Sequence, residues 1–389
     1  MTADSPPPRI YLDNAATSFP KPPGVVEAVT RYLTDEGVSL GRATTRSGEE
    51  TARRVSQLRT KLGQFFGAGP GDEVVFTFSG TDSLNMALHG FLKPGDHVVT
   101  TDIEHNSVLR PLEWLRQRGI AVTHVPCDSA GRVATDDIRQ AIRPETRLLA
   151  VSHASNVTGT VQPIADFAEL ARNHGARILV DACQTAGHIP ISIREAGIDF
   201  LACSGHKGLR GPLGTGVLVI ARDAVPDLES FRQGGTGSHS DSPLQPAAGP
   251  DKYEAGNHNT PGLLGLAAAL DWIEQEELGA LHEREAAQTA RLQEGLRYLP
   301  NVRVPGPEPD ERVPVVSFVI EGFDSRDVAS ILDAEFGIEV RAGLHCAPRI
   351  HTALGTLPYG GTVRLSPGLA TTDGQIDAAL DAVAEIAGG

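Results

Sequence analysis

Ser204-Gly205-His206-Lys207-Gly208-Leu209-Arg210-Gly211-Pro212-Leu213-Gly214-Thr215-Gly216 sets a lysine among small residues just beyond the apolar run Ile198-Asp199-Phe200-Leu201-Ala202-Cys203. Upstream, a second apolar run, Arg177-Ile178-Leu179-Val180, ends in Asp181-Ala182-Cys183-Gln184. Short apolar runs that end in polar residues read as buried strands with chemistry at their carboxyl ends. An aspartate at one strand end and a lysine at the next meet the needs of pyridoxal phosphate. The amine bonds the cofactor's aldehyde, and the carboxylate keeps its ring nitrogen protonated so that the ring can take up carbanion electrons. Taken singly, the same residues suit a surface lysine and a hydrogen-bonded buried aspartate. The motifs on either side favour the cofactor.

Strand-like runs at residues 73–78, 97–101, 121–126, 148–153, 177–181, 200–204 and 216–220 alternate with helical patterns at 81–91, 108–118, 135–142 and 164–174. This alternation predicts an α/β fold whose mostly parallel sheet is covered on both faces. In such sheets ligands gather beyond the carboxyl ends of the strands. Thr81, His105, Asn156, Asp181 and Lys207 all fall at or just past those ends. Residues 231–262 are rich in Gly, Ser, Pro and His and lack periodicity, which points to a functional segment. Beyond them, helices are expected at 263–275, 278–299, 326–336 and 373–386, with strands at 314–321 and 361–366. We therefore expect a large cofactor-binding domain over residues 1–262 and a smaller α+β C-terminal domain over 263–389.

A chain of 389 residues accommodates two domains. Its formal charge of −15 argues against a nucleic-acid partner. No apolar stretch approaches a membrane span, and the polar, proline-rich residues 1–8 do not resemble a secretion signal. The four cysteines, Cys127, Cys183, Cys203 and Cys346, are too few and too widely spaced for a disulfide framework, so a reducing cytoplasm is expected. Without a Cys pair, no metal site is expected.

Five blocks carry a family resemblance: Tyr11-Leu12-Asp13-Asn14-Ala15-Ala16-Thr17, Thr101-Asp102-Ile103-Glu104-His105-Asn106-Ser107, Asp181-Ala182-Cys183-Gln184, Ser204-Gly205-His206-Lys207 and Arg341-Ala342-Gly343-Leu344-His345-Cys346-Ala347-Pro348. With Arg364-Leu365-Ser366 they span nearly the whole chain. The sequence resembles fold-type I pyridoxal-phosphate enzymes of the class V aminotransferase group, and specifically the cysteine desulfurases. The resemblance implies that Lys207 bonds the cofactor and shuttles the substrate's Cα proton. It further implies that Asp181 pairs with the pyridine nitrogen, that Gln184 bonds the ring's phenolic oxygen and that His105 stacks on the ring. The alternative for His105 is a helix cap. Gly80 and Thr81, at a helix start where free amides favour an anion, suit the cofactor phosphate, with Ser204 and His206 as further donors. Thr81 could equally be a simple N-cap. Arg364 suits the substrate carboxylate, because a guanidinium grips it with two parallel bonds. Asn156 is the second expected substrate contact, and it also reaches the ring oxygen.

Cys346 separates a desulfurase from its aminotransferase relatives. Attack of its thiolate on the sulfur of L-cysteine would leave a persulfide on Cys346 and release L-alanine, which requires an accessible thiol. The alternatives are an inert loop cysteine and a metal set with His345 and His351. Cys346 and Arg364 lie 18 positions apart, a spacing similar to that of the Suf-type group. Gly234-Gly235-Thr236-Gly237-Ser238 departs from that group, and Asn257 stands where relatives carry a threonine that binds the neighbouring subunit's cofactor. Thr260 is a substitute for that contact. A homodimer, L-cysteine as substrate and a sulfur-acceptor protein are the expected partners. The competing activities are selenocysteine lyase, another C–S lyase or an aminotransferase on the same scaffold, with a non-catalytic sulfur-carrier scaffold as a third class.

Overall fold

The computed structural model describes residues 9–40, 45–238 and 240–388, so the opening segment 1–8 lies outside it. Its centre is a seven-stranded sheet of β1 (Glu73–Thr77), β2 (His97–Thr101), β3 (Ala121–Val125), β4 (Thr146–Ser152), β5 (Arg177–Asp181), β6 (Phe200–Ser204) and β7 (Gly216–Ile220). Their order is β1-β7-β6-β5-β4-β2-β3. Only β7 runs against its neighbours, as the expected mostly parallel sheet allows.

Alternation within each strand explains why these runs are apolar throughout. Val99, Leu149, Val151, Ile178, Val180, Leu201, Val217 and Val219 point into one buried cluster. Their sequence neighbours Val98, Leu148, Ala150, Leu179, Phe200, Ala202, Leu218 and Ile220 fill the cluster on the other face. Side chains that alternate between two covered faces leave no polar face to read.

The smaller part carries an antiparallel sheet of β8 (Val302–Arg303), β9 (Val316–Ile320), β10 (Arg341–Gly343) and β11 (Thr362–Leu365), ordered β10-β11-β9-β8. Helices Ser325–Phe336 and Asp373–Gly388 belong to this part. Its core, built on Val316, Phe318, Val363, Leu365 and Val383, also takes in Ile10 and Leu12 from the start of the chain. Conversely, helix Thr260–Glu276 sends Leu263, Leu264, Leu266 and Leu270 into the large-sheet core. The expected boundary at 262/263 falls inside this helix.

Candidate active site

Five loops at the carboxyl ends of the central strands enclose a cavity lined by Gly80, Thr81, His105, Ser107, Asn156, Asp181, Cys183, Gln184, Ser204, His206 and Lys207. All nine residues expected to touch the cofactor line it. Adjacent strands deliver the two that matter most. Asp181 closes β5 opposite Ala202 of β6, and Lys207 follows three residues after β6 ends. Asp181 is buried and accepts the Cys183 amide at 2.9 Å.

Glycine is needed here where neighbouring side chains press against the backbone. A Cβ on Gly80 would lie 2.2 Å from Cys183 Sγ, and one on Gly205 would lie 2.2 Å from Thr215 Oγ1. Ser79, not Thr81, caps helix Gly80–Phe91, accepting the Asp82 amide at 3.1 Å. Thr81 instead exchanges a 2.7 Å hydroxyl bond with Ser107.

His105 caps helix Asn106–Arg116: its Nδ1 accepts the Ser107 amide at 3.0 Å. Both readings of this residue are compatible, because the cap engages only one ring nitrogen, Nδ1. Burial, with help from Lys207, holds the imidazole down to about 4, although Asp181 pulls the other way. His206 is likewise held to about 4, by burial and then by Lys207 and Lys21. Both rings are neutral at physiological pH. Two polar atoms at the cavity, Ser204 Oγ and His206 Nδ1, are buried without a hydrogen-bond partner. Such atoms are costly unless a ligand satisfies them. Gln184 spends one weak bond on Ala15 O at 3.3 Å.

The smaller part meets the cavity through Asn156, and Arg364 lies behind that residue, outside the cavity lining. Arg364 is buried, donating from Nη2 to Asp13 Oδ1 at 2.7 Å and from Nη1 to Asn156 O at 3.0 Å. Its Nε is buried and unpartnered. Asn156 serves a purpose its sequence context did not suggest: its amide donates to His345 O at 2.6 Å. His345 and Cys346 both occupy left-handed backbone conformations, with φ of 49° and 59°. Non-glycine residues pay for that geometry and keep it only where surroundings over-determine it. Here the Asn106 amide donates to Cys346 O at 2.7 Å, and the His345 ring meets Thr362 Oγ1 and O at 2.9 Å each.

Cys346 is partly exposed, with Arg341 Nη2 3.7 Å from its sulfur. Among the described residues no group of His, Cys, Asp or Glu could hold a metal ion. Four contributors escaped the sequence reading: Ser107, Asp13, Arg341 and Lys21. Lys21 donates to His206 O at 3.0 Å and is drawn down to about 8 by burial and the nearby Arg210. Asp13, Ser107 and Arg341 sat inside quoted blocks; the partners of Asp13 and Ser107 are distant in sequence, whereas Arg341 and Cys346 lie five positions apart.

Comparison with known proteins agrees with this geometry. Residues 10–379 match the family model for aminotransferase class-V. A probable cysteine desulfurase from Methanothermobacter thermautotrophicus is 35% identical over 97% of this chain and 95% of its own length. Another from Halalkalibacterium halodurans is 36% identical over 95% and 91%. Among solved structures, an apo cysteine desulfurase from Thermococcus onnurineus superposes with a TM-score of 0.90 at 34% identity, covering 98% of this chain and 95% of that one. A cysteine desulfurase from Escherichia coli gives 0.86 at 30%, with 96% and 94% covered. With a family model matched over nearly its whole length and relatives this similar, the chain belongs to the aminotransferase class-V family, among its cysteine desulfurases.

Proposed function

We propose that this protein converts L-cysteine to L-alanine and keeps the sulfur as a persulfide on Cys346, using pyridoxal 5'-phosphate. The observation that carries the reading is the pair of unsatisfied buried atoms, Ser204 Oγ and His206 Nδ1, beside Gly80, Thr81, Asp181 and Lys207. They fit a phosphate-bearing ring. Gly80, Thr81, Ser204 and His206 would hold the phosphate, Asp181 the ring nitrogen, Gln184 and Asn156 the ring oxygen, with His105 against the ring face and Lys207 bonded to the cofactor. Bound there, the cofactor supplies an electron sink that acidifies the substrate's Cα–H and weakens its Cβ–S bond.

The remaining work falls to this chain's own side chains. The free Nε–H of Arg364 offers a bond to the substrate carboxylate, and Asp13 and Asn156 O fix the plane of the guanidinium. Lys207 takes the Cα proton and returns it. Neutral His105 is suited to exchanging protons with the leaving sulfur or the growing methyl group. Cys346 Sγ forms the new S–S bond as the substrate's Cβ–S bond breaks. The two thiols become one persulfide and one methyl group, with no external oxidant or reductant. Arg341 stands where negative charge on sulfur would be held.

We further propose a homodimer in which the exposed Asn257 reaches the neighbouring cofactor. Thr260 is buried, with its hydroxyl turned to His258 O, and is the poorer donor. A reducing cytoplasm suits four free cysteines, with a sulfur-acceptor protein taking the persulfide. No helix among the described residues is long and apolar enough to cross a membrane. The deciding experiment incubates the purified protein with L-cysteine and measures alanine and sulfide together. Equal yields in the presence of a reductant support the reading, and pyruvate in place of alanine would sink it.

A further inference from the structure

One buried acid beneath the cavity has no part in the chemistry above. Glu104 is fully buried. Its Oε1 accepts the Thr101 hydroxyl at 2.6 Å and the Ser152 amide at 3.0 Å, and its Oε2 accepts the Ser152 hydroxyl at 2.7 Å. Among the described residues no cation pairs with it. Thr101 ends β2 and Ser152 ends β4, so one carboxyl ties two neighbouring strand ends together. Each end leads directly into the site. Glu104 immediately precedes His105, while Ser152 stands in register with Asp181 of β5. The tie is extended by the His153 amide, which donates to Asp181 O at 2.9 Å.

We propose that Glu104 is a positioning residue that locks His105 and Asp181 on their strand ends. This inference rests on the cofactor reading. A carboxyl linking β2 and β4 fixes the spacing between the residue set against the ring face and the residue set against its nitrogen. The three donors favour the charged form of Glu104. Burial opposes it most, and Asp181 adds to that opposition, pushing the carboxyl up to about 7. The titratable groups on the flanking elements are Asp181 at the end of β5, His105 on the same segment, His153 after β4 and Lys207 after β6. His105 and His153 are both held near 4, so neither titrates in the same range.

The test compares wild-type holoenzyme with Glu104→Gln and Glu104→Ala. Cofactor dissociation and the absorption band of the lysine-linked cofactor are followed from pH 6 to 8.5. Wild type should show a spectral step near pH 7 as Glu104 ionises beside Asp181. Glu104→Gln keeps the shape and most hydrogen bonds, so it should retain cofactor within about threefold and lose the step. Glu104→Ala leaves the Thr101 and Ser152 donors unpaired and should weaken cofactor retention by about tenfold or more. A flat wild-type profile, an unchanged step in Glu104→Gln, or wild-type retention in Glu104→Ala would each overturn the proposal.

If the wild type takes up no pyridoxal phosphate, the cofactor reading fails by itself. Thermal unfolding of the full chain then decides about Glu104. An acid whose pKa rises on folding contributes stability that is lost as pH climbs through the folded value. The wild type should therefore lose thermal midpoint from pH 6 to 8 relative to Glu104→Gln, and parallel curves would refute the inference.

Discussion

The floor of the cavity and the cysteine loop are built by opposite means. The floor residue Asp181 ends a regular strand paired into the sheet, and Lys207 follows three residues after a strand whose side chains are all buried. The loop places His345 and Cys346 in left-handed geometry, outside any helix or strand. It is held from outside, by Asn106, Asn156 and Thr362. The floor needs a fixed position for a bound ring. A thiol that must first meet a substrate sulfur and then deliver a persulfide elsewhere gains from a loop whose restraints come from separate side chains and can be released one at a time.

The largest effects should come from splitting the two regions chemically. Lys207→Ala is expected to abolish the yellow absorption band and to lower turnover by about 10³-fold or more. Cys346→Ala should bind cofactor normally and still change spectrum on adding L-cysteine, because the floor and Arg364 are untouched. Alanine release should nevertheless fall by about 10²-fold or more. Near-normal alanine release from Cys346→Ala would mean the loop does not carry the sulfur chemistry.

Acid should act on the floor next. His105 and His206 are held near 4, so between about pH 6.5 and 4 the unfolded chain binds protons that the folded chain refuses. Stability therefore rises with pH across that window and is lost as pH falls through it. His153 adds to the same trend. Thermal midpoints measured from pH 7 to 4.5 should decline steadily, and His206→Asn should flatten part of the decline. An unchanged slope in that variant would place the acid sensitivity outside the floor.

The contrast between the regions also decides what the sequence could disclose. All seven strands of the large sheet were legible, to within a residue or two, because covered faces make them continuous apolar runs. Helix Arg46–Phe65 was passed over although Thr51, Val55, Leu58 and Leu62 give it a buried stripe at helical spacing. Its many charged residues hid a pattern that the strand alternation elsewhere made easy to see. Strand β10 escaped because Arg341-Ala342-Gly343 is too short to show a period. The floor residues were found because strand ends are visible. The supports of the loop were not, since Asn156 lies 189 positions from His345 and such pairing exists only in the fold. The domain division is a similar case. We propose that it falls at Glu277, whose φ of 60° breaks the path between helices Thr260–Glu276 and Leu278–Tyr298.

A milder test loosens one restraint of the loop. Thr362→Val removes the hydroxyl that meets the His345 ring and leaves the floor intact. Losing one buried hydrogen bond should cost about 0.5–1.5 kcal/mol of stability. Sulfur transfer should slow by a few-fold, read as alanine release under saturating L-cysteine, while cofactor affinity stays at the wild-type value. A parallel loss of cofactor would show that floor and loop are one mechanical unit.

The smallest effect is expected at the other cysteines, where burial alone makes the argument. A thiolate is disfavoured in apolar surroundings and by neighbouring carboxylates. Cys127 is pushed up to about 12 by burial, then by Asp102 and Asp128. Cys183 and Cys203 are also raised, by burial first and then by Asp181. All three therefore stay protonated at neutral pH, when alkylating reagents attack only thiolates. Cys346 sits on the partly exposed loop beside Arg341. Brief iodoacetamide treatment at pH 7.5, read by peptide mass mapping, should modify Cys346 and spare the rest. Cys127→Ser should then change turnover by less than about twofold, since surface-proximal exchanges away from special contacts are nearly neutral. Modification of Cys127 at a rate matching Cys346 would remove the chemical distinction between loop and body on which the sulfur assignment depends.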